Sequence, residues 1–297
     1  MEPPLLYESI RQQNVFWVRD ALKTHGDVNE EYGSKTPLNL LCTLKMSNIT
    51  FDVMFEMLLS KGANPLQRRK LDDLPLHWVA AEVGNLHACK RLFAHIPPGR
   101  LDEFTCSETG ASSLYVAAQN GHYDLVAFLL SEQGFDPNKA TTYSMTPLQS
   151  CVVDAREHKN EAAIEKMVRL LLDAGADPLI EYKNRNALEM AKYEPVQLLL
   201  LQEFVVRGWF EASRYNAIVW QRFSASTKRS LYRWVDMLLE EERAVFAALF
   251  NETCDLETSF QSEVFGPVAE ELASMVVLPT AAARRALRYL EYLFYSA

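Results

Sequence analysis

Leu74-Pro75-Leu76-His77-Trp78-Val79-Ala80-Ala81-Glu82-Val83-Gly84-Asn85 is the stretch on which the fold turns. Proline at the first position of a helix has its φ already set and loses no hydrogen bond there, so Leu74-Pro75 marks a helix start. The small pair Ala80-Ala81 lets a second helix approach closely, and Gly84-Asn85 is a turn signal. Outward from this stretch the same start recurs, as Thr36-Pro37-Leu38-Asn39, Ser112-Ser113-Leu114-Tyr115, Thr146-Pro147-Leu148-Gln149 and Arg185-Asn186-Ala187-Leu188, at spacings of 34 to 40 residues. Matching ends follow apolar helices: His25-Gly26-Asp27-Val28-Asn29, Lys61-Gly62-Ala63-Asn64-Pro65, Gln133-Gly134-Phe135-Asp136-Pro137 and Ala174-Gly175-Ala176-Asp177-Pro178. A fixed period with its own start and stop signals predicts a stack of helix pairs, because one pair cannot hide its apolar side alone.

The pattern resembles the ankyrin repeat, whose signature is a Thr-Pro-Leu-His opener, an Ala-Ala pair, a Gly-His turn and a Gly-Ala-Asp closer. Pro75-Leu76-His77 with Ala80-Ala81 and Gly84-Asn85, and Val116-Ala117-Ala118 with Gly121-His122, match it best, and the resemblance covers about residues 5 to 200. It implies an all-α fold, a solenoid of five to six repeats with short hairpin fingers. The expected domains are a repeat domain over residues 1–200 and an α-helical C-terminal domain over residues 201–297. No unit keeps Thr and His together in its opener, so the family's hydroxyl-to-imidazole bond is partly lost. Thr43 to Thr50 and Ala155 to Ala163 read as insertions that project from the rim, and Ile96-Pro97-Pro98-Gly99 as a distorted closer. The first unit, Leu5 to Asn29, lacks an opener and carries Arg11, Gln12 and Gln13, as a capping repeat with a polar outer face requires.

Beyond about Gln202 the period stops and helical patterning continues. Ser226-Thr227 caps an apolar stripe of Leu231, Trp234, Val235, Leu238 and Leu239, and Pro279 starts a last amphipathic helix through Phe294. These helices read as a cap on the last repeat. Leu278-Pro279 followed by Leu287 and Leu290 also resembles an F-box and, more distantly, the end of a SOCS box, which implies docking to a ubiquitin ligase. Ala281 and Ala282 depart from the F-box pattern, and no Leu-x-x-x-Cys segment precedes Leu278.

The 297 residues are 48% hydrophobic and 23% charged, as in ordinary globular proteins. A net charge of −9 disfavours nucleic acid, whose backbone is held by clustered Lys and Arg. No apolar run reaches the roughly 18 residues of a membrane span; Val196 to Val206, interrupted by Gln202 and Glu203, reads as a buried helix. Neither a basic start nor a small-residue cleavage site marks a signal peptide at the N-terminus. Cys42, Cys89, Cys106, Cys151 and Cys254 form no Cys-x-x-Cys pair, which fits a reducing compartment and no bound metal. All six histidines fall in the repeats, leaving Cys254 and the C-terminal third without a base, and no glycine-rich phosphate loop or cofactor fingerprint is present.

The expectation is therefore a non-enzymatic, cytoplasmic interaction module or scaffold that binds a partner protein along a concave face. Ankyrin proteins meet partners with hairpin tips and the exposed inner helices. The resemblance carries those positions to Tyr32 and Ser34 in the first finger, Arg68, Arg69 and Asp72 in the second, Glu108 in the third, Tyr143 in the fourth and Tyr182 in the fifth. The helix positions are Glu82, Val83, Gln119, Asn120, Val153 and Asp154. Three further readings are a bacterial effector acting in host cytoplasm, a ligase adaptor docking through Leu278, Pro279, Leu287 and Leu290, and an enzymatic or toxin activity in residues 202 to 297.

Overall fold

The computed structural model describes residues 4–97, 100, 105–153 and 161–206. The chain divides into two compact units between Met190 and Ala191. In the first unit, helix pairs follow one another along the chain. These are α1 (Leu5–Arg11) with α2 (Val15–Thr24), α3 (Pro37–Thr43) with α4 (Asn48–Ser60), α5 (Leu76–Glu82) with α6 (Leu86–Phe93), α7 (Ser113–Asn120) with α8 (Tyr123–Ser131), and α9 (Pro147–Val153) with α10 (Glu161–Asp173). A short α11 (Ala187–Met190) opens one further unit. The first helix of each pair packs on the first helix of the next, α1 on α3, α3 on α5, α5 on α7, α7 on α9 and α9 on α11, and forms the inner face. Leu38, Leu76, Leu114, Leu148 and Leu188 are all at most 2% exposed, so the repeat's leucine is the shared core position. Among the described residues there are no strands, only isolated antiparallel bridges in the loops. No helix among them is long and apolar enough to cross a membrane.

The helix starts follow from their caps. Thr36 Oγ1 accepts from Asn39 N (3.1 Å), Ser112 Oγ from Tyr115 N (3.1 Å) and Thr146 Oγ1 from Gln149 N (3.3 Å). Gln149 Oε1 returns the bond to Thr146 N at 2.9 Å, a complete capping box. In the last unit Asn186 and Glu189 do the same, each accepting from the other's backbone N–H at 3.0 Å. Its true start is thus Asn186-Ala187-Leu188-Glu189, which puts Asn186 in the threonine place.

The fourth opener position explains how units are joined without the family's Thr-His bond. His77 Nδ1 and the next unit's Ser113 Oγ share a 2.7 Å hydrogen bond, Gln149 Nε2 donates to Ile180 O (2.5 Å), and Tyr115 OH lies 3.3 Å from Met145 Sδ. Tyr7 OH donates toward Glu30 O (2.7 Å) and Lys35 O (2.9 Å) and accepts from Tyr32 N (3.1 Å). The first unit lacks a hydroxyl cap, as its sequence predicts, yet Leu6 and Tyr7 occupy the buried third and fourth opener places. Arg11, Gln12 and Gln13 are exposed.

Half of the insertion expected at Thr43 to Thr50 is helix. Ser47 Oγ accepts from Thr50 N (3.1 Å), which starts α4 one turn early and leaves only Leu44 to Ser47 between the helices. Of the second insertion, residues 161–163 begin α10, and residues 155–160 lie outside the described residues. Pro98 and Gly99 of the irregular closer lie outside them too. In the second unit, α12 (Glu194–Val206) buries Val196, Leu199, Leu200, Leu201 and Phe204, as the apolar run from Val196 predicts. Every reading made for residues 207–297, including Leu278, Pro279, Leu287, Leu290 and Cys254, lies outside the described residues.

Candidate protein-binding surface

Each finger is a backbone turn held at its base. Tyr32 and Lys35 bridge across Gly33 and Ser34, whose φ values are +60° and +63°. Tyr182 and Arg185 bridge across Lys183 and Asn184 at +49° and +59°. Two consecutive positive φ values are the hairpin turn that follows the natural strand twist. The second finger is longer and is closed by Arg69 N to Leu74 O (2.9 Å), and the fourth by Thr141 N to Met145 O (3.0 Å). Neighbouring fingers are tied to one another. Glu31 Oε1 accepts from Lys70 N (2.7 Å), Arg68 donates to Thr105 O (2.7 Å), and Thr142 N donates to Thr109 O (2.8 Å).

These ties sort the predicted site residues. Arg68 is spent on Thr105 O and, at 3.0 Å, on Asp73, and Arg69 makes a two-pronged ion pair with Asp72 that leaves its side chain 16% exposed. The Asp72 carboxyl is held below the usual range by that guanidinium. Asn120 Nδ2 and His122 Nε2 donate to Glu82 O (3.0 and 2.9 Å), closing the end of α5 from the next unit. Tyr143, 65% exposed, stands out from the fourth finger, whereas Tyr32 and Tyr182 are half-buried, with the Lys183 ammonium 5.1 Å from the Tyr182 ring centre. Glu82, Val83 and Glu108 are exposed; Ser34, Gln119 and Val153 are half-buried; Asp154 lies outside the described residues.

Tyr32, Arg69, Glu82 and Val83 meet on the inner face. They line one groove of about 470 Å3 with Tyr7, Arg11, Lys35, Leu40, Leu44 and Val79. Its floor is the C-terminal ends of α1, α3 and α5, and its wall is the first two fingers. Sequence reasoning missed Leu71, 72% exposed on the second finger, because no periodicity inside a hairpin loop marks an apolar residue as exposed. It also missed Phe16, Trp17 and Ile49, all more than half exposed on the outer helices α2 and α4. An alternating-polarity rule cannot separate an exposed apolar residue of a helix end from a core one.

Burial holds several titratable groups of the repeats in their neutral forms. Burial pushes the thiols of Cys42 and Cys89 well up and that of Cys151 up to about 12, so these three stay protonated and poorly nucleophilic. Burial also drives the His77 imidazole down to about 3, with Arg68 adding to the shift, which keeps the ring neutral. No group of three His, Cys, Asp or Glu side chains among the described residues is placed to hold a metal ion.

A family model described as "Ankyrin repeats (3 copies)" matches residues 45–141 and 76–182. Among solved structures, the crystal structure of EF0377, an ankyrin repeat protein, is 23% identical with a TM-score of 0.54, covering 68% of this chain and 98% of that one. The human ASB11 ankyrin repeat domain is 23% identical with a TM-score of 0.52, covering 67% of this chain and 81% of that one. An ankyrin repeat domain from Acinetobacter baumannii AYE, ABAYE2397, is 18% identical with a TM-score of 0.50, covering 67% and 96%. At these identities the likeness is one of fold. No curated protein matches the chain.

Proposed function

Since residues 45–182 are ankyrin repeats, a fold of interaction modules, we propose that this chain is a non-enzymatic scaffold that grips a partner protein with its fingers and inner face. The observation that carries the reading is the placement of exposed apolar side chains, Leu71 and Tyr143, on fingers that are hydrogen-bonded into a rigid row. A rigid frame spares the entropy of ordering loops on binding, and large apolar or aromatic tips are the residues that dominate interface energies. Arg68, Arg69 and Asp72 support the surface from within, by fixing the second finger that presents Leu71.

The test is quantitative capture of partners by the full chain and by the variant Leu71→Ser/Tyr143→Ser. The expected result is at least a tenfold loss of specific captured protein, at unchanged helical content and melting temperature. Equal capture by both proteins would remove the fingers from the binding surface.

A ligase adaptor role for Leu278, Pro279, Leu287 and Leu290 is supported by their sequence pattern. In that case deletion of the last 20 residues abolishes association with ligase components and leaves capture by the fingers intact; retained association removes the reading. The effector reading, which would place the protein in host cytoplasm, is supported by irregular repeats joined to a non-repeat tail.

A further inference from the structure

The groove on the inner face has a charge order along its length. Arg11, Thr43 and Ala81 stand five residues after the equivalent leucines Leu6, Leu38 and Leu76, and α1, α3 and α5 pack in that sequence, so the three helix ends lie side by side. One cation stands at the α1 end, Arg11, and one at the α3 end, Lys35. Lys35 folds back from the first finger until Nζ is 3.4 Å from Thr43 Oγ1, and no carboxylate pairs with it among the described residues. Among the described residues Arg11 pairs only with Glu8, at 3.9 Å in a pair that is roughly half exposed, and such a pair contributes little. At the α5 end is Glu82, and Arg69, which feels its charge, is already engaged by Asp72. Between the ends lies an aliphatic floor of Leu40, Leu44, Val79 and Val83.

The geometry points to an extended peptide segment of the partner as the occupant: an acidic residue on Arg11 and Lys35, aliphatic side chains on the floor, and a basic residue on Glu82. Neighbouring helix axes lie about 8–10 Å apart, so the one to two steps from these cations to Glu82 span roughly 8–20 Å. An extended chain rises about 3.3 Å per residue, which sets the acidic and basic residues about three to six apart. This inference rests on the reading of the inner face as a partner surface and narrows it to a class of ligand. Opposite charges placed at the two ends fix the direction of the bound segment, which is what electrostatic complementarity contributes best.

A random peptide library displayed on phage, selected on the full chain, tests it. The expected outcome is enrichment of peptides with Asp or Glu and Lys or Arg at about that spacing around Leu, Ile, Val or Met. A synthetic peptide of the enriched sequence should bind Arg11→Glu/Lys35→Glu at least tenfold more weakly, and replacing its acid by Lys should restore binding to that variant. Both substituted positions reach solvent, and an unchanged melting temperature shows that the fold is intact. Enrichment without charge bias, no enrichment, or binding indifferent to the substitutions each overturns the assignment. If the protein captured through Leu71 and Tyr143 still binds the Arg11→Glu/Lys35→Glu variant, the groove assignment alone fails and the scaffold reading stands.

Discussion

His77 shows at the scale of one residue how a repeat motif can be rewritten without loss of fold. The residue is 2% exposed, its ring Nδ1 is hydrogen-bonded to Ser113 Oγ of the next unit, and its backbone carbonyl accepts from the Cys89 thiol at 3.7 Å. Its imidazole, lowered to about 3 in the folded state, has an ordinary value near 6.5 when unfolded. Between those values the unfolded chain binds a proton that the folded chain refuses. The contribution is therefore fully present above about pH 6.5 and is lost as pH falls toward 3. Urea unfolding should show up to about 2 kcal/mol less stability at pH 5 than at pH 7 from this residue. In His77→Gln that part of the pH dependence should vanish, and Gln149, at the equivalent place, shows that glutamine fits. A pH profile identical in both proteins would assign the titration elsewhere.

Among the elements, the turns carry contrasts that a sequence motif hides. Gly84 and Gly62 both end their segments with positive φ, +73° and +85°. A Cβ on Gly84 would lie 2.4 Å from the ring of His122, whose Nε2 holds the end of α5 through Glu82 O, whereas nothing lies within 4 Å of one on Gly62. Gly62→Ala should cost about 1 kcal/mol, the backbone penalty alone, and Gly84→Ala roughly 2–4 kcal/mol, measured as denaturation midpoints. Equal losses would mean that His122 moves aside freely. The closers form a second ladder, in which Asn29 spans to Gly62 O (2.9 Å) and Asn64 N (2.8 Å), and Asn138 to Gly175 O (3.1 Å) and Asp177 N (2.7 Å). Asn138→Ala removes both partners of its rung and should cost about 1–3 kcal/mol by the same measurement, while Asn138→Asp, which keeps the acceptor and loses the donor, should cost less.

For the first unit as a whole, each inner helix touches its neighbours in the row, so stability is close to a sum of units and interfaces. Leu114, fully buried between α5 and α9, is the place to perturb it. Leu114→Ala should cost about 2–5 kcal/mol. Amide exchange should speed up most in α5 to α9 and least in α1 and α2. A uniform increase across all helices would show a single cooperative block instead. The convex side contributes Phe16, Trp17 and Ile49, apolar yet exposed, which lie apart from the inner-face groove in the element order.

The sequence by itself determined the period, the all-helical class and the five leucines of the core, because openers and closers are local devices: a proline at a helix start, a hydroxyl or amide that caps, a glycine that turns. Ser112, Thr146 and Asn186 each act within three residues of themselves, and such bonds are legible in one dimension. Only the tertiary structure decided which charged side chains are spent and which remain available. Arg68 looks like a binding residue until Thr105, 37 residues away, accepts its guanidinium, while Lys35 and Arg11 remain weakly paired on the groove. Charge and hydrogen-bond pairing across units depends on distances set by helix packing, and those distances are not written in the spacing of any one repeat.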